Sequence, residues 1–283
     1  MRRSDLSHWD LVRRLEEYFI LDRNRYGRSS IGERKTKSNR HTHTHTHTQT
    51  IGKLIDASVK ALRSSNEEED MNMQQHWALL RRCMKKKGYA AQLLADAGGI
   101  ELIIDSIKDN KDSVHLNGAL NLIPYFAVNA SSTILQSFVR QGGLDVLKPI
   151  LTQKQSGIQE ILPATQSAWS IYKKERSNVA ALMALPGSIE IVRLGSNSGD
   201  LDFALDVIRE FAWNGGDDMM TQIFIENDGV ETMLDLVRES QDRSIRFKAC
   251  DTLGKLASKE VTVRDAIEDA GMGGVIESMS MKY

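Results

Sequence analysis

Proline and long apolar runs are scarce in this sequence. Only four prolines occur in 283 residues, and no alternating apolar and polar run of strand length stands out, so a β-sheet has little support. No window approaches 18 consecutive apolar residues, which predicts that no segment spans a membrane. Acidic residues such as Asp5, Asp10 and Glu16 occur where a secretory signal would need an apolar run. We therefore expect a helical protein of the cytoplasm or the nucleus.

Cysteine is equally scarce, with two residues in the chain. Cys83 and Cys250 lie far apart, and each falls within a helical pattern. This placement favours buried, reduced thiols over a disulfide. It agrees with the reducing compartments expected above.

Motifs of common catalytic sites are also absent. The sequence has no glycine-rich phosphate loop, no Cys-x-x-Cys, no His-Glu-x-x-His and no Gly-x-Ser-x-Gly. Apart from one histidine-rich tract, His8, His76 and His115 are isolated, so none has a neighbour for acid/base or metal chemistry. We predict that the protein is not an enzyme and that it has no cofactor and no metal.

Charge is distributed unevenly along the chain. Residues 1–50 carry 11 Lys and Arg against 6 Asp and Glu, a balance of +5, whereas residues 51–283 carry 26 against 32, a balance of −6. A basic tail therefore precedes an acidic body. We predict a tail over 1–50 and a folded domain over 51–283.

The tail has two parts. Residues 7–22 place Trp9, Val12, Leu15 and Phe19 on one stripe, which predicts a short amphipathic helix. Residues 23–50 are polar and basic and offer almost no apolar surface to bury. Because ordering such a segment costs entropy that nothing offsets, we predict that it is disordered.

Two segments of the tail admit alternative interpretations. In an extended chain the histidines would lie along one edge and could chelate a divalent metal: His41, His43, His45 and His47. Simple-sequence expansion also produces a strict two-residue repeat, and we favour this origin over a metal site. The segment "ERKTKSNR" at 33–40 resembles a nuclear-localisation patch, or it is a soluble linker, which we favour.

One pattern recurs along the body of the chain. Each copy of the pattern consists of two apolar residues, a short polar step, a glycine and a new apolar run. The marker glycines lie 44, 44, 42 and 42 residues apart: Gly99, Gly143, Gly187, Gly229 and Gly271. A fixed period of this size is typical of a solenoid of helical repeats. We expect each marker glycine to take positive φ between two short helices, so that the second leaves at a steep angle.

A longer third helix is predicted in each unit. Its inward face reads Ala119, Leu120, Ile123, Phe126 and Ala127 in the first full unit, and Ala204, Leu205, Ile208, Phe211 and Ala212 in the third. In the second unit, Pro163 and the segment "SGIQE" should interrupt this helix. Residues 51–62 and 75–86 resemble a degenerate opening unit.

The three-helix unit resembles the armadillo repeat, and the HEAT repeat is its nearest relative. The resemblance covers roughly residues 75–283. It implies an all-α fold, a right-handed superhelical solenoid of about five armadillo-type units, with the first and last incomplete. It also implies that the third helices line a concave groove that binds extended peptides or other proteins.

Nuclear-import members of the family carry Trp and Asn four residues apart on successive third helices, where they hold a basic peptide. Aligning the third helices here places Asn121, Gln166, Asp206 and Asp251 at the Trp positions and Tyr125, Ser170, Glu210 and Lys255 at the Asn positions. Because this ladder is replaced, we do not expect a nuclear-import adaptor. Trp77, Trp169 and Trp213 fall off that register, and we predict that they serve packing.

The groove is expected to be acidic at one end. Asp202, Asp206 and Glu210 lie four apart on one helix, a spacing at which like charges cost about 0.2–0.5 kcal/mol per pair. They either form an acidic floor, with Asp251, that receives Lys or Arg from a partner, or they are a solvated face relieved by neighbours such as Arg209 and Arg246. The predicted groove residues are Asn121, Tyr125, Gln166, Ser170, Asp202, Asp206, Glu210, Asp251 and Lys255.

A basic cluster lies on the opening unit. Its five members are Arg81, Arg82, Lys85, Lys86 and Lys87. They could contact phosphate or an acidic partner, although we favour a solvated end of the stack. With a net charge of −1 and no interleaved aromatics, the cluster does not predict a nucleic-acid surface.

Together these features predict a non-catalytic scaffold for protein–protein interaction. Its partner would be a protein or peptide that presents an extended basic segment, and the chain's own tail at 33–40 is one candidate. The alternative is a structural subunit of a larger assembly that uses the repeat edges or the convex face.

Overall fold

The computed structural model describes residues 38–64, 70–86, 88–109, 113–152, 156–195, 197–214 and 218–280. Within these ranges the chain forms fifteen helices and no strand. No helix there is both long enough and apolar enough to span a bilayer. The amphipathic helix predicted at 7–22 lies outside the described residues.

In chain order the helices are α1 (Ser38–Ser64), α2 (Asp70–Lys86), α3 (Ala90–Asp96), α4 (Gly99–Lys108), α5 (Ser113–Asn129), α6 (Ser132–Arg140), α7 (Lys148–Thr152), α8 (Ile158–Glu175), α9 (Asn178–Arg193), α10 (Ser198–Asn214), α11 (Asp218–Glu226), α12 (Gly229–Glu239), α13 (Arg243–Ala257), α14 (Val261–Asp269) and α15 (Gly273–Ser280). The third helices are 15 to 18 residues long, the opening helices α1 and α2 and the continuous helix α9 are also long, and the other helices have 5 to 11 residues.

These helices stack as consecutive units. An opening pair, α1 and α2, is followed by units α3–α5, α6–α8, α9–α10 and α11–α13, and α14 and α15 close the stack. The third helices are α5, α8, α10 and α13; α5 packs against both α2 and α8, and α10 packs against α13. One hydrophobic core runs through all of them, as expected for repeats that bury their apolar faces only against neighbours.

The predicted inward faces of the third helices are confirmed. Ala119, Phe126 and Ala127 on α5 are fully buried, as are Ala204 and Leu205 on α10. The alanines at the inter-helix contacts let neighbouring backbones approach closely. The periodic apolar pattern therefore identifies the core side of each third helix.

The prediction of positive φ at the marker glycines is confirmed at one of the five, Gly271 (φ 68°). In three other units positive φ is found at the residue before the marker, at Gly98 (φ 78°), Gly142 (φ 90°) and Asp228 (φ 56°). The marker itself is needed for close packing: a Cβ on Gly143 would lie 2.3 Å from Cε1 of Phe138. In these units the first residue of the pair forms the left-handed turn, and the marker glycine that follows allows the close packing contact.

In the third unit the expected two-helix corner is absent. Helix α9 runs unbroken through Pro186 and Gly187. Proline locks φ near −65°, so Pro186 cannot take the left-handed turn that Gly98 and Gly142 take at the matching place. Gly187 instead brings the middle of α9 against α8, where an added Cβ would lie 2.3 Å from Oγ1 of Thr165.

The third helix of the second unit is continuous, contrary to our prediction. Helix α8 spans 18 residues and contains Pro163 at its sixth position. At this position a proline removes one hydrogen bond, to the carbonyl of Gln159, close to the helix start. Burial of Ile161, Ala164 and Ala168 holds the helix together across that site.

Helix α1 extends further toward the N-terminus than the predicted domain boundary. It begins at Ser38 and therefore includes residues 38–50, part of the segment for which the sequence predicts disorder. Its C-terminal half is anchored by the buried side chains of Ile51, Ile55 and Val59. Once that half is fixed, adding turns requires no new nucleation, so the helix can continue through polar residues.

Three steps of the stack are also tied by polar side chains. These donate to carbonyl oxygens at the C-terminal ends of α2, α5 and α10: Asn129 Nδ2 to Met84 O (3.0 Å), Lys174 Nζ to Val128 O (2.9 Å) and Lys259 Nζ, just beyond α13, to Ala212 O (3.0 Å). Such carbonyls have no partner within their own helix. These bonds fix the register between units, and so place the side chains of the groove.

Candidate protein-binding groove

The solvent-facing sides of α2, α5, α8, α10 and α13 form one surface, which we call the ladder face. Between α8 and α10 the contact is made by aromatic side chains. The rings of Trp169 and Tyr172 lie 5.6 and 5.3 Å from that of Phe211. The predicted groove residues on this face are exposed or half-buried, as required of residues that contact a partner.

The most exposed acidic residues of the ladder face share one cation. Lys248 on α13 reaches across to α10, where its Nζ lies 2.6 Å from Oδ1 of Asp202 and 2.7 Å from Oδ1 of Asp206. The Lys248 side chain is 14% exposed, whereas those of Asp202 and Asp206 are 54% and 58% exposed. The three residues carry a net charge of −1, and the two carboxylates face solvent.

The electrostatics of this group follow from its geometry. Burial by itself lowers the pKa of Lys248, but the hydrogen bonds to Asp202 and Asp206 and their negative charges outweigh it. The pKa of Lys248 therefore stands above its ordinary value of 10.5. At neutral pH the ammonium is fully charged, which balances one of the two carboxylates.

The other two predicted acidic residues are also paired. Arg209 Nε donates to Asp251 Oδ2 at 2.8 Å, and Lys173 Nζ lies 3.9 Å from Glu210 Oε1. Asp251 and Glu210 are more buried than Asp202 and Asp206. The sequence predicted that Arg209 and Arg246 would relieve Asp202, Asp206 and Glu210. Arg209 instead pairs with Asp251, Arg246 forms no ion pair within the described part of the chain, and the three acids are relieved by Lys248 and Lys173.

The remaining predicted residues lie along the same face. Asn121 donates to the backbone carbonyl of Asn117 at 2.8 Å, and Tyr125 lies beneath the ammonium of Lys85, 4.6 Å from the ring centre. Gln166 and Ser170 on α8 are half-buried. Lys255 Nζ is 4.9 Å from the ring centre of Trp213.

Of the three tryptophans in the described part of the chain, two serve packing, as predicted, and one does not. Trp77 is 3% exposed and Trp169 packs between units. Trp213, near the end of α10, is 49% exposed, and the cations of Arg209 and Lys255 lie 5.6 and 4.9 Å from the centre of its ring. Its position one residue beyond the buried Ala212 signals exposure, because the core stripe ends there. Trp213 is therefore an additional candidate for partner contact.

Among the side chains that the structure describes, no group of three or more His, Cys, Asp or Glu is arranged to hold a metal ion. The two cysteines are buried and unpaired, as predicted. Burial raises the pKa of each thiol to about 11, which keeps both protonated at neutral pH.

Comparisons with known proteins support the fold. No protein-family model matches the chain, and no curated protein matches it. Among solved structures, a designed armadillo repeat protein in complex with the peptide (KR)4 is similar over 81% of this chain and 92% of its own, with a TM-score of 0.60 and 17% identity. The fold is an armadillo-type solenoid.

Other similar structures agree with that architecture. An engineered protein solved by a structural genomics consortium matches over 81% of this chain and 89% of its own, with a TM-score of 0.60 and 21% identity. A second engineered protein matches over 77% of this chain and 51% of its own, with a TM-score of 0.57 and 22% identity. The armadillo-type, right-handed solenoid predicted from the repeat pattern is thus confirmed, and identities this low carry the fold alone.

Proposed function

We propose that this armadillo-type solenoid is a non-catalytic scaffold that binds an extended basic segment of a partner protein on the ladder face. The observation that carries the proposal is the pair of exposed carboxylates, Asp202 and Asp206, that share the single ammonium of Lys248. A Lys or Arg from a partner can bond to their outer oxygens and neutralise the remaining negative charge. The designed armadillo repeat protein that shares this fold was solved with a basic peptide, (KR)4.

Other groups on the same face suit such a segment. The exposed ring of Trp213 offers apolar surface on the helix that carries Asp202 and Asp206, and the cations of Arg209 and Lys255 already lie 5.6 and 4.9 Å from its centre. Asn121 and Gln166 are able to bond the backbone of an extended chain. Exposed ion pairs contribute about 1 kcal/mol or less each, so binding requires several contacts and weakens as salt rises.

The proposal is tested with fluorescein-labelled (KR)4 and purified protein. The double variant D206K/E210K reverses two charges on the ladder face. The matched control, E231K/D235K, reverses two exposed acidic residues at the same spacing on α12, away from that face. We expect D206K/E210K to abolish binding at low salt while the control binds as wild type does, with circular dichroism confirming equal helicity.

A variant that introduces no new charge controls for misfolding. D202N/D206N removes the shared charges without placing new cations beside Lys248, and we expect at least a fivefold loss of (KR)4 affinity. Equal binding by wild type, D206K/E210K and D202N/D206N would refute the proposal, because the carboxylates would then be only a solvated face.

The second candidate function is a structural subunit of a larger assembly. One observation favours it: apolar side chains lie exposed where each unit passes to the next, at Val128, Val179, Met219 and Val261. These residues are at the ends of third helices or the starts of first helices, along one edge of the stack. Substituting three of them by Ser should leave (KR)4 binding unchanged and should release any assembly that uses this edge.

A further inference from the structure

The opening end of the ladder face contains a pocket that differs from the carboxylate end. It has a volume of about 410 Å³ and lies between α2 and α5. The small residues Ala78 and Gly118 leave the space open, and the indole of Trp77 packs directly on Gly118, where an added Cβ would lie 2.3 Å from Cγ of the ring. The volume falls in the range of ligand pockets and suffices for a side chain with part of its backbone.

The pocket wall contains polar groups that have no partner. Trp77 is 3% exposed, and its Nε1–H meets no acceptor among the described residues. Oδ1 of Asn117, which also lines the pocket, meets no donor there. Buried polar groups are normally hydrogen-bonded, and leaving one unpaired is unfavourable. Both atoms are buried beneath the pocket surface, and the exposed polar side chains of its wall are those of Gln74, Arg81 and Asn121.

The charge of the pocket is positive. Arg81 lines it and is exposed, and the guanidinium forms no ion pair or hydrogen bond within the described part of the chain. Lys85 follows one turn later on α2 and lies over the ring of Tyr125. None of the residues that line the pocket is acidic. A guanidinium presents paired donors that match the two oxygens of a carboxylate.

From these observations we infer that the pocket between α2 and α5 binds an acidic side chain of the partner segment. This inference rests on the proposed function, since the pocket lies on the same ladder face. Arg81 binds the carboxylate, Lys85 adds long-range attraction, and the amides of Asn117 and Asn121 bond the adjacent backbone. Two members of the basic cluster identified in the sequence, Arg81 and Lys85, therefore act in binding.

The inference specifies the chemistry of the partner. Three helix-to-helix steps separate this pocket from the carboxylates between α10 and α13, or about 27 Å at 8–10 Å per step. An extended chain covers that distance in about eight residues. The partner segment should therefore carry an acidic residue about eight positions away from its basic residues.

The test uses two labelled peptides, an alternating (Glu-Ser)4 and (KR)4, with four proteins. R81Q/K85Q removes two charges at the pocket, and R140Q/K148Q removes two exposed charges from α6 and α7 as a matched control. D206K/E210K alters only the carboxylate end. We expect R81Q/K85Q to weaken (Glu-Ser)4 at least fivefold and to leave (KR)4 bound as in wild type, whereas R140Q/K148Q should change neither by more than twofold.

A second measurement reports on the pocket itself. In ¹⁵N-labelled wild-type protein, the indole N–H resonance of Trp77, assigned with W77F, should shift on addition of (Glu-Ser)4 and not on addition of (KR)4. Equal binding of (Glu-Ser)4 by R81Q/K85Q and R140Q/K148Q, or no binding to wild type, would overturn the inference. So would a Trp77 shift with inorganic phosphate and none with the peptide. Failure of the proposed function would give a different result from failure of this inference, because (KR)4 would then bind wild type and D206K/E210K equally.

Discussion

Replacing Lys248 by Met separates the role of this residue in the fold from its effect on the groove. Methionine keeps a long, flexible side chain at the buried position and removes the ammonium that lies 2.6 and 2.7 Å from the two carboxylates. The local charge changes from −1 to −2. We expect the K248M variant to be less stable than wild type and to bind (KR)4 more tightly.

The expected loss of stability follows from the exposure of the partners. Both carboxylates are more than half exposed, so each ion pair is in the range of about 0.2–1 kcal/mol. The repulsion between Asp202 and Asp206 at four-residue spacing adds about 0.2–0.5 kcal/mol once the cation is gone. The sum predicts a loss of about 1–2 kcal/mol in the free energy of unfolding, measured by urea denaturation.

The expected gain in binding has the same origin. One additional negative charge facing a bound Lys or Arg is worth about 0.5–1 kcal/mol at an exposed site, which is about a two- to fivefold gain in affinity. Fluorescence anisotropy with labelled (KR)4 at low salt measures it. The triple variant D202N/D206N/K248M should show no gain over D202N/D206N. Equal or weaker binding by K248M would refute the argument that Lys248 competes with a basic ligand.

The pH dependence of stability gives an independent check. Because the pKa of Lys248 is raised in the folded state, its contribution is complete below the unfolded value of about 10.5 and is lost as pH rises through the folded value. The difference in unfolding free energy between wild type and K248M should be constant from pH 7 to 9 and should shrink toward pH 11. A difference that grows with pH would show that the sign is wrong.

Three further predictions concern the fold. G143A should lose about 1–3 kcal/mol by urea denaturation, because the new Cβ overlaps the ring of Phe138; G274A, in a helix with open space around it, should be neutral or slightly stabilising. K174M should lose about 0.3–1 kcal/mol by the same assay, because the end of α5 loses its cap. Cys83, with a pKa of about 11, should react with a thiol reagent at pH 8 only as fast as the protein unfolds.

Periodicity made the core side of the fold predictable. The residues from Ala119 to Ala127 and from Ala204 to Ala212 read as buried stripes because each third helix keeps one face toward its neighbours. The turns were only partly predictable. The glycine pair predicts a corner between two helices. Which residue of the pair takes positive φ depends on backbone geometry and could not be predicted. In the third unit Pro186 occupies the first position of the pair, and the corner is absent.

The candidate site was predictable only within one helix. The four-residue spacing placed Asp202, Asp206 and Glu210 on one face, but the counter-ions come from other units. Lys248 lies 42 residues beyond Asp206, and its partner depends on the register between α10 and α13. The pocket at Trp77 could not be predicted for the same reason, because it forms where Gly118 on α5 contacts the indole of Trp77 on α2. Such contacts require the stacked structure.

Site-specific photo-crosslinking in the protein's own cells tests the central claim most directly. A crosslinking residue is placed at Asn121 or Gln166 on the ladder face, or at the exposed Glu101 or Glu231 on second helices as controls. We predict that both ladder positions capture the same partner, that the controls capture little of it, and that D206K/E210K abolishes the capture. Capture mainly from Glu101 and Glu231, unaffected by D206K/E210K, would contradict the claim that the ladder face binds the partner.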